Sequence, residues 1–218
     1  RLGLASAIPS MSIRGGRLQS CQAILCDGSD EAVDIGDQLG VEAQPNAQPF
    51  RHIEHLALRR QLLVDGGIDY WLQESTHRVL DLCTGNGSLG ILAAMVYPDV
   101  EVTGADISAD ALAVARINVD KHSLQARVQL VESDGLSALP GPFDLILCNP
   151  PYVNAQSMAE LPAEYLAEPF IALDGNQAGG SGDGMDFIRT LLKQAPAVMA
   201  PNAVLVLEIG NERAFFEA

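Results

Sequence analysis

The chain has 218 residues, 48% of them apolar, and 13 basic against 28 acidic side chains, for a formal net charge of −15. At about 100–200 residues per domain the length allows one full domain and a smaller piece, and the apolar share excludes wholesale disorder. The acidic excess speaks against non-specific nucleic-acid binding, which needs Lys and Arg to neutralise phosphates, and against an anionic membrane surface.

Residues 1–50 are rich in Gly, Ser, Gln and Pro, with acids gathered between Asp27 and Glu42. They show no period of 2 or 3.6, so an irregular or partly disordered arm is expected. The chain begins at Arg1, which suggests a trimmed fragment. No charged-then-apolar signal pattern follows, so nothing suggests export and the cytoplasm is the expected location. No apolar run reaches membrane-spanning length. The four cysteines, Cys21, Cys26, Cys83 and Cys148, form no C-x-x-C and no disulfide framework. Residues 51–77 read as a helical linker, with Ile53, Leu56, Leu62, Leu63, Ile68 and Leu72 at helical spacing around Gly66-Gly67.

From residue 78 to the end the pattern is that of an α/β domain. A buried strand over Val79–Cys83 runs into the turn Thr84–Gly87, and a helix over Ser88–Tyr97 stops at Pro98. A strand over Val100–Ala105 ends at Asp106 and precedes a helix from Ser108 to Val119. Strands follow over Arg127–Val131 and Phe143–Cys148. A helix over Gly184–Met199, a strand over Ala203–Ile209 and the start of a last helix complete the chain. Such alternation predicts a mostly parallel, doubly wound sheet of five strands with right-handed crossovers. Ligands of these sheets bind at the carboxyl ends of the strands. Those ends carry Cys83–Gly87, Asp106, Asp134 and Asn149.

Gly85-x-Gly87-x-x-Gly90 follows a strand and opens a helix, with an acid, Asp106, at the end of the next strand. That is the dinucleotide-binding arrangement, in which the acid takes a ribose hydroxyl pair. Taken alone the glycines could serve only the backbone of a tight turn. A cofactor without phosphate, S-adenosylmethionine, suits the loop better, because its ammonium group needs an acidic or carbonyl partner and Asp81 stands four residues before Gly85. The other reading of Asp81 is a carboxylate capping the turn amides. Asp134 is placed to accept from an adenine amino group, or is merely an exposed acid at a strand end.

Asn149-Pro150-Pro151-Tyr152 is the most specific feature of the chain. Two prolines fix φ and remove two N–H donors, and Asn149 before proline is held extended. The Asn149 side-chain oxygen and the Pro150 carbonyl can then grip one –NH₂ group, and Tyr152 offers a flat face to a planar amide or base. A carboxamide nitrogen is a poor nucleophile. Two acceptors on its hydrogens pull it toward a pyramidal form and aim its lone pair. Positioning of this kind lowers a barrier by roughly 7–11 kcal/mol.

Val79–Gly87, Gly104–Ser108 and Phe143–Tyr152 together resemble the HemK/PrmB family, S-adenosylmethionine-dependent methyltransferases of glutamine side-chain amides. Cys83, and the stretch Leu161–Pro169 with Ala172-Leu173, resemble its ribosomal-protein branch. The resemblance covers residues 78–213 and implies a Rossmann-like class I methyltransferase fold. It implies that Asp81, Cys83, Thr84, Gly85, Asn86, Gly87, Asp106, Ile107, Asp134, Gly135 and Asn149 hold the cofactor. It further implies that Asn149, Pro150 and Tyr152 act on the amide, with Pro151 and Glu168 completing the substrate pocket. The substrate implied is a large-subunit ribosomal protein. Three features depart from the family. Residues 1–60 carry neither its helical substrate domain nor its Pro-Arg linker. Asp174–Gly184, with five glycines, is longer than its Asp-Gly turn and reads as a flexible linker. The family's last strands do not follow, which implies an exposed sheet edge. Family members often carry a bulkier residue in place of Gly135.

Other readings of the same residues are a nucleic-acid amino-methyltransferase, an inactive cofactor-binding chain, and a nicotinamide enzyme that leaves Asn149–Tyr152 unexplained. His52, His55, His77 and His122 form no ligand set, so no metal is expected. Cys83 and Cys148 read as small buried apolar residues, not reactive thiols. Between Arg127 and Arg189 there is no Lys or Arg, and nine acids: Glu132, Asp134, Asp144, Glu160, Glu164, Glu168, Asp174, Asp183 and Asp186. An acidic rim around the Asn-Pro-Pro-Tyr loop predicts a basic protein as partner and no stable nucleic-acid complex.

Overall fold

The structure, a computed structural model, describes residues 22–26, 63–64, 66, 68–69, 72–161, 168–176, 180–209 and 213–216. His52, His55, Trp71, Glu164 and most of the expected arm and linker lie outside the described residues.

Six strands form one wholly parallel sheet: β1 (Gln22–Cys26), β2 (Arg78–Leu82), β3 (Glu101–Asp106), β4 (Val128–Glu132), β5 (Phe143–Cys148) and β6 (Met199–Glu208). Their spatial order is β1-β6-β5-β2-β3-β4. The helices are α1 (Ser88–Val96), α2 (Ala109–Lys121), α3 (Ala155–Ala159), α4 (Asp186–Gln194) and α5 (Arg213–Phe216). From β2 the chain winds outward through β3 and β4, then returns to β5 on the other side. The direction therefore reverses between β2 and β5, the place where such sheets open a ligand crevice.

The two faces of the sheet carry separate cores. On one, Val79, Val102, Leu145 and Val206 pack with Leu89, Ile91 and Ala93 of α1 and Val119 of α2. Leu63 and Ile68 are buried in the same cluster. On the other, Leu80, Leu82, Ile146 and Leu205 pack with Ile188 and Leu191 of α4. Each fully buried aliphatic contributes on the order of 1.5–3 kcal/mol. Strands buried on both faces read as continuous apolar runs, which is why β2, β5 and β6 were legible from sequence.

The sheet corrects three expectations. There are six strands among the described residues, not five. The additional one, β1, comes from the segment expected to be irregular and pairs with β6 in the register Ile24↔Val206. The far edge of β6 is thus covered, where an exposed edge was expected. Gln-Ala-Ile-Leu-Cys holds only two large aliphatics, Ile24 and Leu25, within a stretch rich in Gly, Ser and Gln, so no local pattern reveals the strand. The helix expected over Gly184–Met199 ends at Gln194, because Pro196 lacks the N–H that would continue it, and a 3₁₀ turn over Ala195–Ala197 leads directly into β6 at Met199.

Candidate active site

The glycine loop between β2 and α1 is held from both ends. Thr84 N–H donates to Ala105 O at 2.9 Å, and Gly87 N–H to Thr84 O at 2.8 Å. Cys83, Gly85 and Gly87 have φ of 58°, 55° and 85°. A Cβ at Gly85 would meet nothing within 4 Å, whereas one at Gly87 would meet Ala115 Cβ of α2 at 3.2 Å. The first glycine therefore leaves an open surface. The second serves the turn and lets α1 and α2 approach. The third, Gly90, lies against β2, where a Cβ would stand 3.0 Å from Asp81 Oδ2.

Asp81 is fully buried beneath this loop. Its Oδ2 accepts from Thr84 Oγ1 at 2.5 Å and from Gly90 N–H at 2.7 Å. Of the two readings of Asp81, the bonds of the turn-capping one are present. Asn86 is also engaged locally: its Oδ1 accepts from Ser88 N–H and Oγ at the start of α1, and its carbonyl accepts from Asn118 Nδ2 at 2.8 Å.

Asp106 ends β3 beside the loop. Its Oδ2 accepts from Gly85 N–H at 2.8 Å and its Oδ1 from Ser108 N–H at 2.9 Å. Two backbone donors fix the carboxylate plane, and each oxygen keeps acceptor capacity for a hydroxyl. Ile107 beyond it is 49% exposed, a large apolar side chain held at the crevice mouth. The residues present fit S-adenosylmethionine: the open surface at Gly85, the oriented acid at Asp106 and the apolar Ile107 suit a ribose with a base beside it.

Asp134 and Gly135 follow β4 at the same edge, where Ser133 N–H donates to Asp106 O at 2.9 Å. Asp134 is exposed, and Gly135, with φ 53°, adopts a left-handed conformation in which a side chain would be strained. Both line a groove of about 400 Å³ against Phe187, Thr190, Leu191 and Gln194 of α4. Neither Asp106 nor any residue of the glycine loop lines that groove.

Asn149 lies directly beside the glycine loop, because β5 pairs with β2 in the register Leu82↔Cys148. Pro150 is buried, while Asn149, Pro151 and Tyr152 are half-buried. Tyr152 packs against the core cluster of Leu80, Ile146 and Met185. Cys148 is fully buried. Burial pushes its thiol well up, with the neighbouring Cys83 thiol and the carboxylates of Asp81 and Glu208 acting in the same direction. Its thiol stays neutral within the core cluster. Glu168 stands exposed ahead of the 3₁₀ turn Phe170–Ala172, whose following residue, Leu173, accepts from Val153 N–H at 2.9 Å.

Three residues escaped the sequence reading. Ser133 is buried, and its Oγ donates to Gly135 O and accepts from Ala138 N–H, shaping the turn after β4. Asn154 caps α3 by accepting from Ser157 N–H at 2.9 Å. Glu208 is buried at the carboxyl end of β6, next to Cys148. A lone acid closing the run Val204–Leu207 was its signal. Among the described residues no group of three or more His, Cys, Asp or Glu could hold a metal ion, and no helix is long and apolar enough to cross a membrane.

Residues 66–172 match the family model for the methyltransferase small domain. The chain is 48% identical over 159 residues to the ribosomal protein uL3 glutamine methyltransferase of Bordetella pertussis, a span of 72% of this chain and 52% of that protein. The protein of the same name from Burkholderia pseudomallei is 48% identical over 166 residues, and that from Neisseria gonorrhoeae 44% over 158. The chain thus spans about half the length of the curated relatives it matches. Among solved structures, a SAM-dependent methyltransferase from Agrobacterium tumefaciens superposes with a TM-score of 0.48 at 20% identity, over 71% of this chain and 44% of that one. Over the matched residues, which hold its glycine loop and its Asn-Pro-Pro-Tyr loop, the chain is thus similar at 44–48% identity to ribosomal protein uL3 glutamine methyltransferases.

Proposed function

We propose that the chain transfers the methyl group of S-adenosylmethionine to the side-chain amide nitrogen of a glutamine, in a large-subunit ribosomal protein. The observation that carries this reading is the placement of Asn149–Tyr152 at the end of β5, register-adjacent to the glycine loop of β2. Cofactor and amide would then meet across the crevice where the sheet reverses direction.

The bound cofactor supplies an electrophilic methyl on a sulfonium. The chain supplies the rest. Gly85 and Asp106, with Ile107 beside them, hold the cofactor, and the backbone of Cys83–Gly87 frames it. Asn149 Oδ1 and the Pro150 carbonyl accept the two amide N–H groups, Pro151 keeps a competing donor away, and Tyr152 stacks on the amide plane. No general base of shifted pKa is needed before the methyl moves, and the proton that the methylated nitrogen then sheds passes to water. The exposed acids Glu132, Asp134, Glu160 and Glu168 present a negative rim that attracts a basic polypeptide. A ribosomal-protein substrate is consistent with the names of the relatives and with a cytoplasmic location.

Incubation with S-adenosylmethionine and a ribosomal-protein mixture, followed by peptide mass spectrometry, tests the reading. The expected result is a one-methyl gain on a glutamine peptide. A methyl recovered in RNA, or in no protein, contradicts it.

A further inference from the structure

The glycine-rich segment 174–184 reads from sequence as a flexible linker. In the structure its described residues form two short edges that close on the back of the Asn-Pro-Pro-Tyr loop. Val153 forms a parallel bridge with Asp174, donating its N–H to Leu173 O at 2.9 Å and accepting from Gly175 N–H at 3.2 Å. Further on, Gly182 O accepts from Ala155 N–H at 2.9 Å. The approach is so close that only glycine fits. A Cβ at Gly184 would stand 2.2 Å from Tyr152 O, and one at Gly175 would stand 2.8 Å from Tyr152 Cα.

Asn176 joins the two edges to each other and to the loop. Its Nδ2 donates to Val153 O at 3.1 Å, and its Oδ1 accepts Gly184 N–H at 2.8 Å. Asp174 orients it by accepting from its backbone N–H at 3.0 Å and from Nδ2. The outer edge is fastened to α4, where Arg189 donates from both guanidinium nitrogens to the Asp183 carboxylate and also reaches Ser181 Oγ at 3.0 Å.

We infer that Asn176 is a positioning residue: through Val153 and Gly184 it sets the backbone of Tyr152–Asn154 and so the pose of the amide platform. The inference rests on the proposed reading of Tyr152. It turns the glycine-rich segment from a spacer into a brace, with glycines placed where backbone must meet backbone. None of the bonds named above reaches the cofactor cradle on β2 and β3, so the brace should govern turnover without governing cofactor affinity.

The test compares the wild-type chain with Asn176→Ala and Asn176→Asp. The aspartate keeps an acceptor for Gly184 but cannot donate to Val153 O. Three quantities are read: S-adenosylhomocysteine affinity by calorimetry, apparent kcat and cofactor KM with a ribosomal-protein mixture, and amide hydrogen exchange. The brace predicts a kcat loss of about tenfold to a hundredfold. It predicts cofactor KM and S-adenosylhomocysteine affinity within about twofold of wild type, and faster exchange at Val153 and Ala155 in both variants, and at Gly184 in Asn176→Ala, with β2 and β5 unchanged. Unchanged kcat in an active enzyme, or unchanged exchange at Val153 and Ala155, overturns it. If Asn176→Ala does not fold, shown by loss of its melting transition, Asn176→Asp carries the same readouts. If the wild type transfers no methyl, the proposed function falls. The brace is then judged on exchange alone, supported by faster Val153 and Ala155 exchange and overturned by its absence.

Discussion

Gly85 N–H donates to Asp106 Oδ2 at 2.8 Å, so the loop after one strand is fastened to the acid that closes the next. The bond joins the two parts of the cofactor cradle before any ligand arrives, and it turns the carboxylate plane toward the crevice. Asp106→Ala removes this anchor together with the expected ribose acceptors. Hydrogen bonds to a charged group are worth about 1.5–3 kcal/mol each, so S-adenosylhomocysteine affinity should fall at least about tenfold. Calorimetric titration checks this, and an unchanged affinity would place the cofactor elsewhere.

Thr84 Oγ1 and Gly90 N–H converge on the buried Asp81 carboxylate. Thr84→Val keeps the shape and removes one donor from a charged, water-excluded acceptor. The expected cost is about 1.5–3 kcal/mol of unfolding free energy, read by denaturant unfolding. Asn86→Ala, which loses only exposed bonds at the start of α1, should cost about 1 kcal/mol or less.

Glycines of one motif should fail for different reasons. At Gly85 an alanine meets open space and bears only the left-handed φ, about 1–2 kcal/mol. At Gly90 the φ is ordinary, but a Cβ stands 3.0 Å from Asp81 Oδ2 and 3.1 Å from Val102 Cγ1, which predicts an overpacking cost of about 1–3 kcal/mol. Gly85→Ala should therefore weaken cofactor binding more than Gly90→Ala at equal loss of melting temperature. The reverse order would mean that the Gly85 surface does not face the ligand.

The Asp183–Arg189 pair should give the brace a pH signature. The Arg189 guanidinium, and after it the Ser181 hydroxyl and the Met185 amide, hold the Asp183 carboxyl well below the usual carboxylate range. A depressed folded-state pKa contributes stability above the unfolded value near about 3.9, and that stability is lost as pH falls toward the folded value. Arg189 is half exposed, so the contribution is small, about 0.2–1 kcal/mol. Asp183→Asn should lower the melting temperature at pH 7 and converge on the wild type as pH drops below about 4. A difference that grows in acid contradicts the pairing.

Much of the fold was legible because strands buried on both faces announce themselves as apolar runs, as in Leu145–Cys148, and because Pro98 and the glycine loop punctuate them. The strand Gln22–Cys26 was not, since with only Ile24 and Leu25 as large aliphatics it gains its identity from pairing with β6, a contact no local pattern encodes. In the site, chemistry was easier to see than support. Asn149-Pro150-Pro151-Tyr152 declares itself through its composition. Asn176 and Ser133 act only through partners distant in sequence or through backbone geometry, and a run of glycines looks the same whether it is slack or clamped. Asp81 and Asn86 show the converse: motif positions whose visible bonds serve the turn itself.

In the proposed reaction Asn149 presents an amide nitrogen to the methyl group held over the glycine loop. The most direct measurement is peptide mass spectrometry of a ribosomal-protein mixture after incubation with S-adenosylmethionine and either wild type or Asn149→Ala. The wild type should give a one-methyl gain on a glutamine peptide. With Asn149→Ala that gain should be lost, although the variant still binds S-adenosylhomocysteine. Methylation that persists in Asn149→Ala, or that appears on nucleic acid instead of a glutamine, would contradict it.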